Sequence, residues 1–267
     1  MDSDEPLKLA RERDVTPPGT DPAPAAGAAP DPPPATETAR VAARPRRAAC
    51  VCIAAGLLFG LLALWIARRG AAVPAVDTTI HSWALSHRGP DSVAVASAVR
   101  WGGVTTVVLP ALIVIGAVTA SARTLGGRLR SGLLLCLVAS AGVYAEILIN
   151  HGIDRRRPPV ADWAGAASGA AFPSGHTTAA TLFALSCAWV IAARLPAGWP
   201  RRSVWAGAVA YAAVVGWSRV WLGVHWPADV AGGWLFSVAW CAGAVAVIGI
   251  LRRPAGALRD RLRRTPA

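Results

Sequence analysis

Three short polar clusters interrupt a chain that is apolar over much of its length. The first is Arg155-Arg156-Arg157-Pro158. The second is Pro173-Ser174-Gly175-His176, and the third is Ser218-Arg219 followed by His225 and Asp229. Arginine grips phosphate oxygens through a planar, permanently charged fork. Ser-Gly at the start of a helix presents backbone N–H groups at its positive end, which suits an anion, and Ser174 is also a candidate N-cap. Two histidines can divide the labour of nucleophile and general acid. Asp229, one turn after His225 once a helix has begun, can accept a hydrogen bond from the imidazole and fix its tautomer. Taken singly, each residue has an ordinary explanation: an arginine as headgroup anchor, His176 as a helix cap, His225 as an interfacial side chain. Together they suggest phosphoryl transfer through a histidine, with the equatorial oxygens stabilised by the surrounding donors.

Such residues act only if something gathers them, and the apolar pattern says what. Of 267 residues, 54% are hydrophobic and 16% charged, against about 25% charged in a soluble domain. Six apolar runs, at about 48–67, 101–121, 131–149, 176–193, 204–221 and 229–250, approach the ~20 residues that a helix needs to cross ~30 Å of hydrocarbon. Lipid cannot satisfy backbone polar groups, so helices are the expected spanning elements. The expected fold is therefore all-α: a polytopic membrane protein with six transmembrane helices in a bundle. Residues 1–45, rich in Pro and Ala, read as a disordered cytoplasmic tail. Residues 46–251 form the membrane domain, and 252–267 a basic cytoplasmic tail.

Arginine placement orients the bundle. With the N-terminus in the cytoplasm, the inside segments from Arg40 onward carry sixteen arginines and the outside segments eight, so both termini are expected to be cytoplasmic. All three polar clusters then fall on the extracytoplasmic side of the cell membrane. The net charge of +12 belongs to anchors against anionic headgroups rather than to a nucleic-acid surface. The five cysteines lie in apolar runs without metal-ligand spacing and read as small hydrophobic fillers.

PSGH followed by SRVWLGVHWPAD resembles the second and third signature motifs of the type 2 phosphatidic acid phosphatase superfamily. The third motif is SR, five residues, His, three residues, Asp, and the spacing agrees throughout. Arg157-Pro158 matches the end of the first motif, which is Lys, six residues, Arg-Pro. The resemblance covers about residues 48–250. It implies a lipid phosphatase in which His225 is the nucleophile, Asp229 orients it and His176 protonates the leaving oxygen. It also implies a phosphate cradle of Arg157, Arg219, Ser174 and the Gly175 backbone, with Pro158 beside them. No metal or other cofactor is implied. One departure stands out: the motif lysine falls at Asn150, and Lys8 is the one lysine of the chain. Arg155, Arg156 and His151 are the candidates to supply the missing charge, and Asn150 itself can donate a hydrogen bond.

Other residues carry open readings. Glu146, one turn before Asn150, is either a partner for a cradle arginine or a solvated interfacial carboxylate. Asp154 can hold an arginine in place. His81 and His87 read as surface residues of the first outer loop, and Trp163 as a flank of the substrate entrance. The expected substrate is a polyprenyl diphosphate first, a phosphatidate or phosphatidylglycerol phosphate next, met among membrane lipids. Two alternatives remain: a lipid phosphotransferase using the same intermediate, and a non-catalytic lipid-phosphate binder or transporter. Six spans argue against the related vanadate-dependent haloperoxidases.

Overall fold

The computed structural model describes residues 37–264, with side-chain surroundings for residues 45–251. In chain order its helices are α1 (Glu37–Arg69), α2 (Ala75–His87), α3 (Pro90–Val99), α4 (Thr105–Val118), α5 (Leu125–Ile153), α6 (Gly175–Ala192), α7 (Trp199–Trp221) and α8 (Pro227–Arg264). Two 3-10 turns, Arg100–Gly103 and Val160–Asp162, complete the elements, and no strand occurs among the described residues.

Each expected apolar run coincides with a helix. Pro45–Arg69, Leu125–Ile153, Gly175–Ala192 and Pro227–Leu251 are long and apolar enough to cross a membrane, and Pro90–Gly103 with Thr105–Val118 forms a fifth candidate bent by 53°. α7 spans 23 residues but carries Arg201, Arg202 and Arg219, and it is not among them. Two boundaries differ from the expectation. α1 begins at Glu37, so the last part of the segment expected to be disordered is helical, while residues 1–36 lie outside the described residues. α8 continues through the basic segment to Arg264. Both extensions are rich in Ala and Arg, which favour helix.

The segment expected as an outer loop folds into α2 and α3, of 13 and 10 residues. Neither is long enough to span, so no hydropathy signal marks them. Asp77 in the first turn of α2 suits the helix dipole, and Pro90 occupies the first turn of α3. α2 buries Asp77, His81 and Ala84, a spacing that places them on one helical face. His81 is therefore not a surface residue: it is 4% exposed, and its Nε2 lies 3.1 Å from Asp162 Oδ2. His87 is exposed as expected.

α6 is the central helix. It packs against α7, α8, α4 and α5, while α1 lies along α8. Its residues Thr177 to Leu182 are all buried. Within lipid, packing rather than the hydrophobic effect holds helices together, and small residues allow close approach. The α4–α5 contact shows this. A Cβ on Gly132 would lie 2.9 Å from the Ile113 carbonyl carbon and 3.0 Å from its Cα, so the backbones would have to separate. Gly132→Ala is expected to destabilise the protein by about 1–3 kcal/mol, read as a lower midpoint of thermal unfolding in detergent. An unchanged midpoint would mean that α4 and α5 are not held at this contact.

Candidate active site

The spacing from Arg219 to Asp229 is set by one helix ending and another beginning. α7 stops at Trp221. Gly223 then takes a left-handed conformation (φ 72°), its N–H donates to Val220 O, and Val224 N–H donates to Arg219 O. This is a Schellman ending, which needs glycine at that position. The chain reverses into Val224, His225 and Trp226, and α8 starts with Pro227 in its first position. Asp229, in the third position, accepts the Trp226 N–H through Oδ2 at 2.8 Å, the reciprocal half of a capping box. The same Oδ2 lies 3.4 Å from His225 Nδ1. Between Arg219 and Asp229 the motif thus encodes a helix stop, a turn and a helix start, with His225 at the turn.

Asp229 is itself held from behind. The Arg155 guanidinium bonds Asp229 Oδ1 with one arm and Asp77 Oδ2, at 2.6 Å, with the other. Asp77 Oδ1 accepts the Ala228 N–H at 2.9 Å. All three charged side chains are buried, the two carboxylates completely. α5 ends in Asp154, whose left-handed conformation (φ 47°) is one that Asp tolerates. Beyond that turn the chain carries Arg155 into the protein.

Around His225 lies a cavity of about 570 Å³ lined by Arg157, Arg219, His176, Gly175, Asn150 and Glu146 among others. Arg157 uses its fork fully on the protein. Nε donates to Gly169 O, Nη2 to Ser168 O and Ala170 O, and Nη1 to Val224 O and His225 Nε2, the last at 2.8 Å. A guanidinium can only donate, so His225 Nε2 is the acceptor nitrogen. The proton of the neutral ring then sits on Nδ1, facing Asp229. Burial pushes the His225 imidazole down to about 4; Asp229 opposes the shift, and the charges of Arg157 and Arg219 add to it. Arg157 is also lowered from its ordinary value by burial, with the carboxylates of Asp229 and Glu146 acting the other way. Arg219 differs from Arg157: it is 1% exposed, and its Nε and Nη1 have no hydrogen-bond partner among the described residues. Buried donors without partners are costly, and an anion in the cavity would satisfy them.

His176, Arg157, Arg219, Gly175, Asn150 and His225 share the cavity, with Asp229 directly behind His225. Three expected binding residues do not line it. Arg155 is locked between the two carboxylates and brings no charge to the cavity. Ser174 is wholly buried at the start of α6; its Oγ accepts the Thr177 hydroxyl at 3.0 Å and makes no cap bond. Pro158 is buried outside the cavity, and its carbonyl accepts Trp163 Nε1 at 3.0 Å; Trp163 does not line the cavity. Arg156 is exposed. His151 does reach the lining, with Nδ1 donating to Ile147 O at 2.8 Å. Asn150 is a brace, its Nδ2 shared among the carbonyls of Ala170, Phe172 and Pro173. Glu146 is 4% exposed rather than solvated. Asp77 was missed entirely; its one sequence signal is an acidic residue at the start of a short helix-compatible stretch.

Donors so biased towards anions, beside a histidine whose cavity-facing ring nitrogen is unprotonated, define a phosphate-handling enzyme built into a membrane bundle. Comparison with known proteins agrees. Residues 131–253 match the PAP2 superfamily. The chain is 31% identical over 163 residues to phosphatidylglycerophosphatase B of Bacillus subtilis (strain 168), covering 61% of this chain and 78% of that one. It is 40% identical over 75 residues to a putative undecaprenyl-diphosphatase of Escherichia coli (strain K12), covering 27% of this chain and 32% of that one. Its fold is similar to the crystal structure of a transmembrane PAP2 type phosphatidylglycerolphosphate phosphatase from Bacillus subtilis. The TM-score is 0.63 at 27% identity, over 80% of this chain and 98% of that one. The chain belongs to the PAP2 superfamily and is a membrane phosphatase.

Two outcomes follow from the geometry. Asp77→Ala strands half of the Arg155 fork and is expected to cost about 3–5 kcal/mol in stability. Through a displaced Asp229, it should also lower kcat by about 10²-fold. Unfolding in detergent and steady-state kinetics check both, and an Asp77→Ala enzyme with unchanged kcat would separate the clamp from catalysis. The second concerns pH. An imidazole that titrates near 4 keeps its lone pair through neutral pH and loses it only as pH falls through that value. The acid limb of kcat/KM, corrected for the substrate's own second ionisation at about 6, should therefore lie near pH 4. A limb at the ordinary histidine value of about 6.5 would contradict the burial of His225.

Proposed function

We propose that the chain hydrolyses a lipid phosphate or diphosphate through a phosphohistidine at His225. His225 Nε2 attacks phosphorus, and the bond to the leaving oxygen breaks while His176 supplies that oxygen with a proton. Water then attacks the phosphohistidine, giving up a proton to His176, and inorganic phosphate departs. Arg219 and the backbone at Gly175 stabilise the equatorial oxygens, joined by Arg157 as its Nη1 transfers from His225 Nε2 to the phosphate. The single observation that carries this reading is the pair of unpartnered, buried donors on Arg219 in the cavity that holds both histidines.

In this reading α7 is a sixth span whose arginines lie near its ends. Both termini are cytoplasmic, and the cavity faces the extracytoplasmic side of the cell membrane, as the arginine bias favours. The wider of the two sequence similarities, and the structural one, are to phosphatases of phosphatidylglycerol phosphate. They support that substrate ahead of the polyprenyl diphosphate that the sequence alone favoured.

The test is phosphate release by the purified chain in detergent, with chelator present, from phosphatidylglycerol phosphate, phosphatidate and a polyprenyl diphosphate. His225→Ala is expected to abolish release. His176→Ala should slow it by about 10²–10⁴-fold, the usual scale of general acid catalysis. Wild-type turnover by His225→Ala would remove the mechanism. Binding without release from any of the three would favour a binder or a transferase awaiting another acceptor.

A further inference from the structure

We infer that Glu146, with the neutral Asn150 one turn beyond it, selects the leaving group of the reaction: it favours a phosphomonoester borne on a hydroxyl-bearing, glycerol-like alcohol and disfavours a diphosphate. This rests on the phosphatase reading above. An ionisable side chain inside a membrane-crossing helix is costly and rare, and it faces a functional cavity when it occurs. Glu146 fits that description. It sits within α5, is 4% exposed and lines the same cavity as the two histidines and two arginines. Nothing in the phosphoryl-transfer scheme uses it.

Its position decides what it can do. A Cβ built on Gly175 would lie 3.4 Å from Glu146 Oε2, so the carboxyl stands beside the first residue of α6, next to His176. His176 is the residue that protonates the leaving oxygen, so its neighbourhood is where the leaving group sits. The Glu146 charge also reaches Arg157, whose positive form it favours.

The two substrate classes differ at that spot. In a glycerol-type monoester, the carbon next to the leaving oxygen is followed by one carrying a hydroxyl, which can donate a hydrogen bond to the carboxylate. In a diphosphate, the leaving oxygen belongs to a second phosphate with anionic oxygens of its own. A carboxylate a few ångströms away repels these. The motif lysine is not there to compensate: its position is Asn150, whose Nδ2 is engaged with three backbone carbonyls, and every donor of Arg157 is spent on the protein. Arg155, the nearby candidate to replace it, is sequestered by Asp77 and Asp229.

The experiment compares kcat/KM for phosphatidylglycerol phosphate and for farnesyl diphosphate, using the purified full chain in detergent and three proteins: wild type, Glu146→Gln and Glu146→Asp. Wild type should favour the monoester. Glu146→Gln keeps the shape and removes the charge, so it should shift the ratio towards the diphosphate by about tenfold. Glu146→Asp keeps the charge and should retain the wild-type preference, which a merely structural role for Glu146 would not predict. The inference alone is overturned by a wild type that prefers the diphosphate, by a ratio unmoved in Glu146→Gln, or by equal shifts in both variants. Absence of release from both substrates by wild type would overturn the phosphatase reading along with it.

Discussion

The site hangs on one buried cation shared by two buried carboxylates. Arg155 joins Asp77 of α2 to Asp229 of α8. Removing three charged groups from water is expensive, and such a cluster persists only where the geometry is good and the remaining oxygens are satisfied. Here they are: Asp77 takes the Ala228 N–H and Asp229 the Trp226 N–H. The Asp229 carbonyl also accepts the Ser174 N–H. Through this one residue the beginnings of α6 and α8 are joined. His225 and His176 therefore stand at fixed places although 49 positions separate them in the chain. The aspartate facing His225 Nδ1 is not free to follow the ring, because Arg155 and the Trp226 N–H hold it.

In the proposed reaction the two cavity arginines divide the work of holding an anion. Arg157 spends every donor on the protein, tying the 168–170 loop to the turn at Val224 and His225. It is a frame member that can release one N–H. Arg219 stands at the last turn of α7, with two donors left open by the protein. In the proposed reaction a phosphate approaching His225 Nε2 meets an already charged wall, and the Arg157 N–H that it displaces from the ring at 2.8 Å passes to a phosphate oxygen, so few groups have to reorganise.

Much of this was legible in the sequence because it is local. The interval from Arg219 to Asp229 is a Schellman ending, a turn and a capping aspartate, all written in consecutive residues, and the apolar runs mark the helices that carry them. What escaped is non-local. Asp77 meets Arg155 across 78 positions, and its helix is too short to leave a hydropathy trace. Arg155 and Arg157 are two residues apart with equal chemistry, and nothing in that stretch tells which is drawn to the carboxylates and which reaches the cavity. The place of Ser174 before a helix makes it a cap candidate and the family resemblance makes it a phosphate ligand, but it is wholly buried and its oxygen accepts the Thr177 hydroxyl instead. Glu146 could be read as solvated because a single carboxylate near a helix end carries no sign of which way the helix faces.

The cavity lies near the C-terminal ends of α5 and α7 and the start of α6, not midway along them. In the proposed orientation a lipid need not leave the bilayer to reach it; only the head must tip between the helix ends while the chains stay in the leaflet. Encounter then takes place in two dimensions. The quantity that sets occupancy is the mole fraction of phosphorylated lipid among its neighbours, not its amount per volume of water. Diluting the substrate with inert lipid would slow the enzyme at constant bulk concentration, so the protein responds to the composition of its own membrane.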